Sequence, residues 1–309
     1  MVRLVDGTRR RALARSWQIF LRAGGLWLER NAFIHAGSLA FYTLFSMAPV
    51  VIIAVSIAGA VFGEEAARGE IVGQLDEFMG VDAARAVEEA VARSRPQVAG
   101  LLPTVTGLVA LVVGATTVFA QMQISLNRIW GVVAKPRKSG ILILIKNRVL
   151  SLAIILMIGF ILLVSLLLNV AVRAAIRYAE SWVPVPSLLL SAAELALSLV
   201  VVTALFAVIF KVLPDAVVEW RDVWIGAAIT ACLFVAGRYL IALYLAYTAP
   251  ASTYGAAGSL VLILLWVYYS SLILFFGAAL TKARVLAQGK PVVPRALAVR
   301  VKEEIVEEA

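Results

Sequence analysis

One cysteine, one histidine and a charged share of only 15% leave this chain of 309 residues with little of what catalysis needs. The lone thiol, Cys232, excludes an internal disulfide and reads as a small apolar filler within a helix. A metallohydrolase gathers His, Cys, Asp or Glu at recognisable spacings, and none occurs. His35 is the single imidazole, and with no GxSxG-like turn anywhere a serine nucleophile lacks both its setting and a general base. Walker-type phosphate loops are absent as well, so nothing here points to ATP hydrolysis. No enzyme, no metal and no cofactor are expected.

Apolar length is what the chain has in abundance. Hydrophobic residues make up 62% of it, and a mean hydropathy of +0.95 cannot be hidden in a soluble core of this size. Uncharged or nearly uncharged stretches run at about 36–62, 101–126, 149–172, 186–210, 223–247 and 254–281, each bordered by charge, Pro or Gly. About 20 apolar residues cross a bilayer as a helix, and the strict alternation of barrel strands is missing. The chain is therefore expected to be an all-α polytopic membrane protein, a bundle of six transmembrane helices forming one membrane domain over 1–309. Within it, 63–100 is an extracytoplasmic helical segment and 282–309 a cytoplasmic tail.

Lys and Arg placement orients the bundle. Seven precede the first stretch, six lie between Arg128 and Arg148, two between Lys211 and Arg221, and six from Lys282 onward. The opposite side holds six, and Arg238 falls inside a span, so both termini are expected in the cytoplasm. The first apolar stretch starts too late and runs too long for a cleavable signal peptide and should stay as an anchor. The net charge of +9 then serves topology first and a grip on anionic headgroups at the cytoplasmic face second. Split over four segments, it forms no groove with interleaved aromatics, so membrane lipids, and a second copy of the chain, are the partners considered, and nucleic acid is not. On the outer side Ile71, Leu75 and Phe78, then Ala84, Val87 and Val91, predict two short amphipathic helices that cap the bundle or float on headgroups. The tail from Arg295 to Ala309 is expected as a solvated helix or disorder.

Polar groups inside spans cost free energy unless they face a partner or water. Asn31, His35, Ser38, Tyr42 and Ser46 fall on one face of the first span, Thr117, Gln121, Ser125 and Arg128 on one face of the second, and Ser259, Trp266, Ser270, Gly277 and Thr281 on one side of the last. Such stripes are either seams between helices or the lining of a polar pathway. Glu194 and Arg238 sharpen the choice. On consecutive antiparallel helices both fall roughly 12 Å below the outer surface, where they either pair and line an outward-opening cavity or snorkel to the interface. The substrate-pathway candidates are Glu194, Arg238, His35, Ser38, Tyr42, Ser46, Gln121, Ser125, Ser259, Trp266 and Ser270.

Several motifs run together along the chain: Ser38-Leu39-Ala40-Phe41-Tyr42 with Ser46 and Pro49, Leu126-Asn127-Arg128-Ile129-Trp130, and Leu213-Pro214-Asp215 with Trp220-Arg221-Asp222. Tyr254-Gly255-Ala256-Ala257-Gly258-Ser259, Leu265-Trp266-Val267-Tyr268-Tyr269 and Gly277-Ala278 follow. In this combination, over about 30–285, the chain resembles the YihY/BrkB family of bacterial inner-membrane proteins. The resemblance implies six helices with cytoplasmic ends and a multi-pass protein of the bacterial cell (inner) membrane. It also implies a candidate for transport or lipid translocation, while the family name points to envelope or serum-resistance phenotypes. A ribonuclease label once attached to the family finds no support in the residue inventory. Ala279 stands where the family carries a Glu, so no role of that carboxylate transfers. Within the matched motifs Asn127, Arg128 and Trp130 are lipid-headgroup candidates at the end of the second span. The function expected is ATP-independent transport or flipping of an anionic or amphipathic substrate, with a non-transporting envelope factor, structural or partner-binding, as the alternative.

Overall fold

The computed structural model describes residues 2–63, 69, 73, 84, 85, 88, 101–135, 157, 159, 161, 164, 187–248, 258–296 and 298–301. The elements among them are α1 (Val2–Glu29), α2 (Ala32–Phe62), α3 (Leu101–Trp130), β1 (Val132–Ala134), α4 (Ser187–Val212), β2 (Ala216–Val217), α5 (Trp220–Thr248), α6 (Gly258–Ala287), β3 (Val293–Pro294) and β4 (Ala298–Arg300). Among the described residues three stretches are long and apolar enough to cross a membrane, Leu195–Val212, Trp220–Ile241 and Leu260–Ala287, and α2 holds a shorter apolar run, Ala32–Met47. The span expected at 149–172 lies outside the described residues except at 157, 159, 161 and 164, all helical. So does most of the 63–100 segment, although Ala84 is buried to 2% exposure beside Ala40, Leu262, Ile263 and Val267.

Helix α6 is the centre of the assembly, packed against α1, α2, α3 and α5, while α2–α3 and α4–α5 form further close pairs. Its inward face is small, with Ala278, Ala279 and Ala283 fully buried beside Phe275. Small side chains let neighbouring backbones approach, which substitutes for the hydrophobic drive that lipid does not provide between helices. A Glu at position 279 would stand in this packed layer, so Ala279 fits the space. Large apolar groups point outward instead, among them Trp17, Leu21, Leu28, Ile34, Phe41, Phe45, Leu240 and Leu243. In water such a surface would be costly, and a bilayer is its natural solvent.

Two features go beyond the expected spans. The basic segment before the first span is itself a helix, α1, whose Ile19, Ala23 and Leu26 pack on Phe276, Leu280 and Ala283 of α6. Trp27 donates its indole N–H to the Leu272 carbonyl at 3.2 Å, and Arg15 donates to the Ala287 carbonyl at 2.9 Å, so α1 runs antiparallel along the second half of α6. The tail after α6 also departs from the solvated helix or disorder expected of it. Lys290 and Arg295 lead into β3 and β4, which pair antiparallel with β2 and β1 in the registers Val217↔Val293 and Val133↔Val299. These pairings stitch together the exits of α3 and α6 and the α4–α5 turn at one end of the bundle; the residues after 301 lie outside the described set.

Candidate functional site

The stitched end of the bundle gathers motifs that the sequence spreads over more than 150 positions. Asn127, in the last turn of α3, donates through Nδ2 to Asp215 Oδ2 at 2.8 Å and accepts the Asp215 backbone N–H on Oδ1 at 2.7 Å. Gln123 adds a longer bond to the same carboxylate at 3.4 Å. The Asp215 carbonyl accepts from the Arg295 backbone, and the Arg295 guanidinium donates to the carbonyls of Val212 and Lys211, capping α4. Lys211 in turn lies over the Trp220 ring, 5.3 Å from its centroid, and donates to the Val218 carbonyl.

A second carboxylate fastens α5 to α6. Asp222 lies in the first turn of α5, where negative charge suits the helix dipole, and is almost fully buried. It accepts from Gln288 Nε2 at 2.7 Å, Lys290 Nζ at 3.2 Å and Arg284 Nε at 3.3 Å. Lys290 also donates to Glu219 at 2.6 Å, and this bond, ahead of the one to Asp222, holds its ammonium above the ordinary lysine pKa. Gly289, at φ +74°, supplies the left-handed turn that brings Lys290 back onto the α5 start.

The lipid-headgroup candidates separate on this geometry. Arg128 is exposed, Asn127 is buried with its amide taken by Asp215, and Trp130 is buried to 2% exposure. The polar stripes separate too. On α2 and α3, His35 Nδ1 and Ser125 Oγ meet at 3.4 Å, Ser46 is buried, Ser38 donates to its own helix at Ile34, Tyr42 is exposed and Gln121 half-buried. On α6, Trp266 is half-buried with its ring edge-on to Phe234 at 5.8 Å, and Ser270 is half-buried, while the neighbouring Ser271 is the buried hydroxyl. The side chain of Ser259 lies outside the described residues, as does that of Glu194, and with it the expected pairing to Arg238.

At the stitched half of the bundle, α5 and α6 interlock. Gly226 of α5 faces the hydroxyl of Thr281, and Gly277 of α6 faces that of Thr230, each so closely that a Cβ on the glycine would collide. Each threonine returns its O–H to the glycine carbonyl four residues earlier on its own helix, at 2.7 Å for Thr230 and 2.8 Å for Thr281. This part of the α6 stripe is a buried, close-packed seam. Sequence reasoning singled out Gly277 and Thr281 but missed Gly226 and Thr230, although both helices carry the same Gly-x-x-x-Thr spacing.

Arg238 lies farther along α5, inside the candidate span Trp220–Ile241 and half-buried. Its guanidinium sits over the Tyr239 ring, 5.2 Å from the centroid. One turn earlier, on nearly the same face, Phe234 packs edge-on against Phe206 of α4 at 5.7 Å and against Trp266 of α6. Next to it Gly237 is overlaid by the Tyr269 hydroxyl. Rings from three helices, Phe206, Phe234 and Trp266, thus form a layer one turn before Arg238 along the chain. Among the described residues no three His, Cys, Asp or Glu side chains gather as metal ligands would.

A family model described as Virulence factor BrkB matches residues 26–295 of this chain, a range that takes in α2 to β3. A UPF0761 membrane protein of Alcanivorax borkumensis is 27% identical over 259 residues, 82% of this chain and 57% of its own. One of Pseudomonas aeruginosa is 30% identical over 179 residues, 57% of this chain and 41% of its own. The chain thus spans about half the length of these curated relatives, whereas a UPF0761 membrane protein of Mannheimia succiniciproducens, 27% identical over 256 residues, is covered to 82%. No solved structure matches.

Proposed function

The chain belongs to the virulence factor BrkB family of membrane proteins, and from that premise we propose an ATP-independent transporter or lipid flippase of the bacterial inner membrane, acting on an anionic, amphipathic substrate. The observation that carries this is Arg238, a half-buried residue within a candidate membrane span whose guanidinium sits over the Tyr239 ring. Charge at such depth is costly and is kept where it serves a partner or a substrate. One turn earlier on α5, Phe234 packs with the rings of Phe206 and Trp266, so an anionic headgroup and the chain attached to it would find a cation and apolar surface on the same helix. The protein does no chemistry on its cargo in this reading. Six spans with both termini cytoplasmic belong to the same proposal, supported by the partition of Lys and Arg.

The buried, close-packed Gly/Thr interlock of α5 and α6 favours a second reading, a non-transporting envelope factor with a rigid bundle. Reconstitution into liposomes with fluorescent lipids and anionic solutes separates the two. Wild type moves at least one anionic species and Arg238→Leu, still folded, does not; movement of nothing in the panel favours the envelope factor.

A further inference from the structure

Beyond α6 the chain turns at Gly289, left-handed and with open space where a Cβ would stand, then runs from Lys290 to Arg295 across the stitched end of the bundle. This short segment ties helix ends together. Lys290 reaches Glu219 and Asp222 at the start of α5. The Arg295 guanidinium caps the last carbonyls of α4, and its backbone N–H bonds the Asp215 carbonyl at 2.8 Å. Farther on, β4 lies along β1 at the exit of α3.

The fastenings of this strap are light. Lys290 and Glu219 pair at the surface, with 38% and 63% of their side chains exposed, and such pairs hold weakly. The β2–β3 ladder is two residues long, Pro294 has no N–H to give it, and Val217 and Val293 both face outward. Of the residues from Lys290 to Arg295, Val292 alone enters the buried core. Asp222 is buried, but its bond from Lys290 is 3.2 Å long, and without it the carboxylate keeps Gln288 and Arg284 as donors. Release therefore leaves no buried charge unpaired, which is the step that would otherwise forbid it.

The α5–α6 seam beside the strap is built differently. Gly226 against Thr281, Gly277 against Thr230 and Gly237 against Tyr269 follow one antiparallel register over about three turns, each too close to admit a Cβ. A tight seam and a lightly held strap on the same pair of helices open at different free energies.

We propose that Lys290–Arg295 is a releasable strap, which holds the stitched end of the bundle closed at rest and swings away on Gly289 as cargo passes. Its part in passage rests on the transport reading, whereas release is measurable without cargo.

Hydrogen exchange of full-length protein in nanodiscs reads release. The Arg295 amide should exchange about tenfold faster or more than the amides of α5 from Ala227 to Ala231, and Lys290→Met should speed the strap without speeding the seam. Exchange of Arg295 at the rate of the seam overturns the proposal. A disulfide asks whether passage needs release. In a Cys232→Ser background, Val217→Cys and Val293→Cys stand directly opposite across the ladder, where Cα atoms are about 4.5–5.5 Å apart and within disulfide reach. In liposomes the oxidised pair should stop lipid movement and reduction should restore it, with each single cysteine variant as active as the background in both states. Movement at the background rate with the cross-link complete overturns the strap's role and leaves the transport reading standing. Wild type that moves nothing overturns both.

Discussion

Single side chains at the stitched end do more than anchor a topology. Asn127 reads in the sequence as a headgroup contact because it follows an apolar run beside Arg128. Its partner Asp215 lies 88 positions away, beyond the reach of any local spacing. Asn127→Ala strips the acceptor from the Asp215 N–H and a donor from its carboxylate, and should destabilise by about 2–4 kcal/mol. Unfolding in graded denaturant checks this, and Asp215→Ala combined with it should add much less than its separate cost, since the two share their bonds. Lys290 offers a pH test. Its folded pKa is raised by the bond to Glu219, so the stabilisation is present below the ordinary lysine pKa of about 10.4 and is lost as pH rises through the raised value. Melting curves of wild type and Lys290→Met should therefore differ through neutral pH and converge only at strongly alkaline pH.

At the scale of helices and strands, apolar length marked α2, α3, α4, α5 and α6, because a membrane demands long uncharged helices and little else produces them. Helix α1 is legible too, since Ile19, Ala23, Leu26 and Trp27 recur at helical spacing among arginines that also serve as a topology signal. The strands could not be read, since runs of two or three residues carry no period and form only because helix ends bring them side by side. The polar stripes were visible as faces, but a face does not say whether it meets water or another helix. Gly226, Thr230, Gly277 and Thr281 answer for one seam. Gly277→Leu should part α5 from α6, for the added side chain meets Thr230 and Phe210 at once. A loss of several kcal/mol is expected, about 3 or more by analogy with overpacked cores, whereas Ser270→Ala on the half-buried side should cost less than about 1. Thermal melts in detergent distinguish the two.

For the whole molecule, α6 ties α1, α2, α3 and α5 around small residues, leaving aromatic and aliphatic groups outward and a charged, strand-bound plate at one end. Family membership and membrane character follow from sequence and comparison together, but a substrate does not. The proposed function turns on Arg238, which lies inside a candidate span one turn after Phe234. The central measurement is the flipping of fluorescent phosphatidylglycerol and phosphatidylcholine in liposomes carrying wild type, Arg238→Lys or Arg238→Leu, followed by quenching from outside. Faster exchange of the anionic lipid in wild type, partly kept by Lys and abolished by Leu in protein that melts normally, is the predicted result. Equal rates in all three, or rates no higher than in empty liposomes, would contradict it.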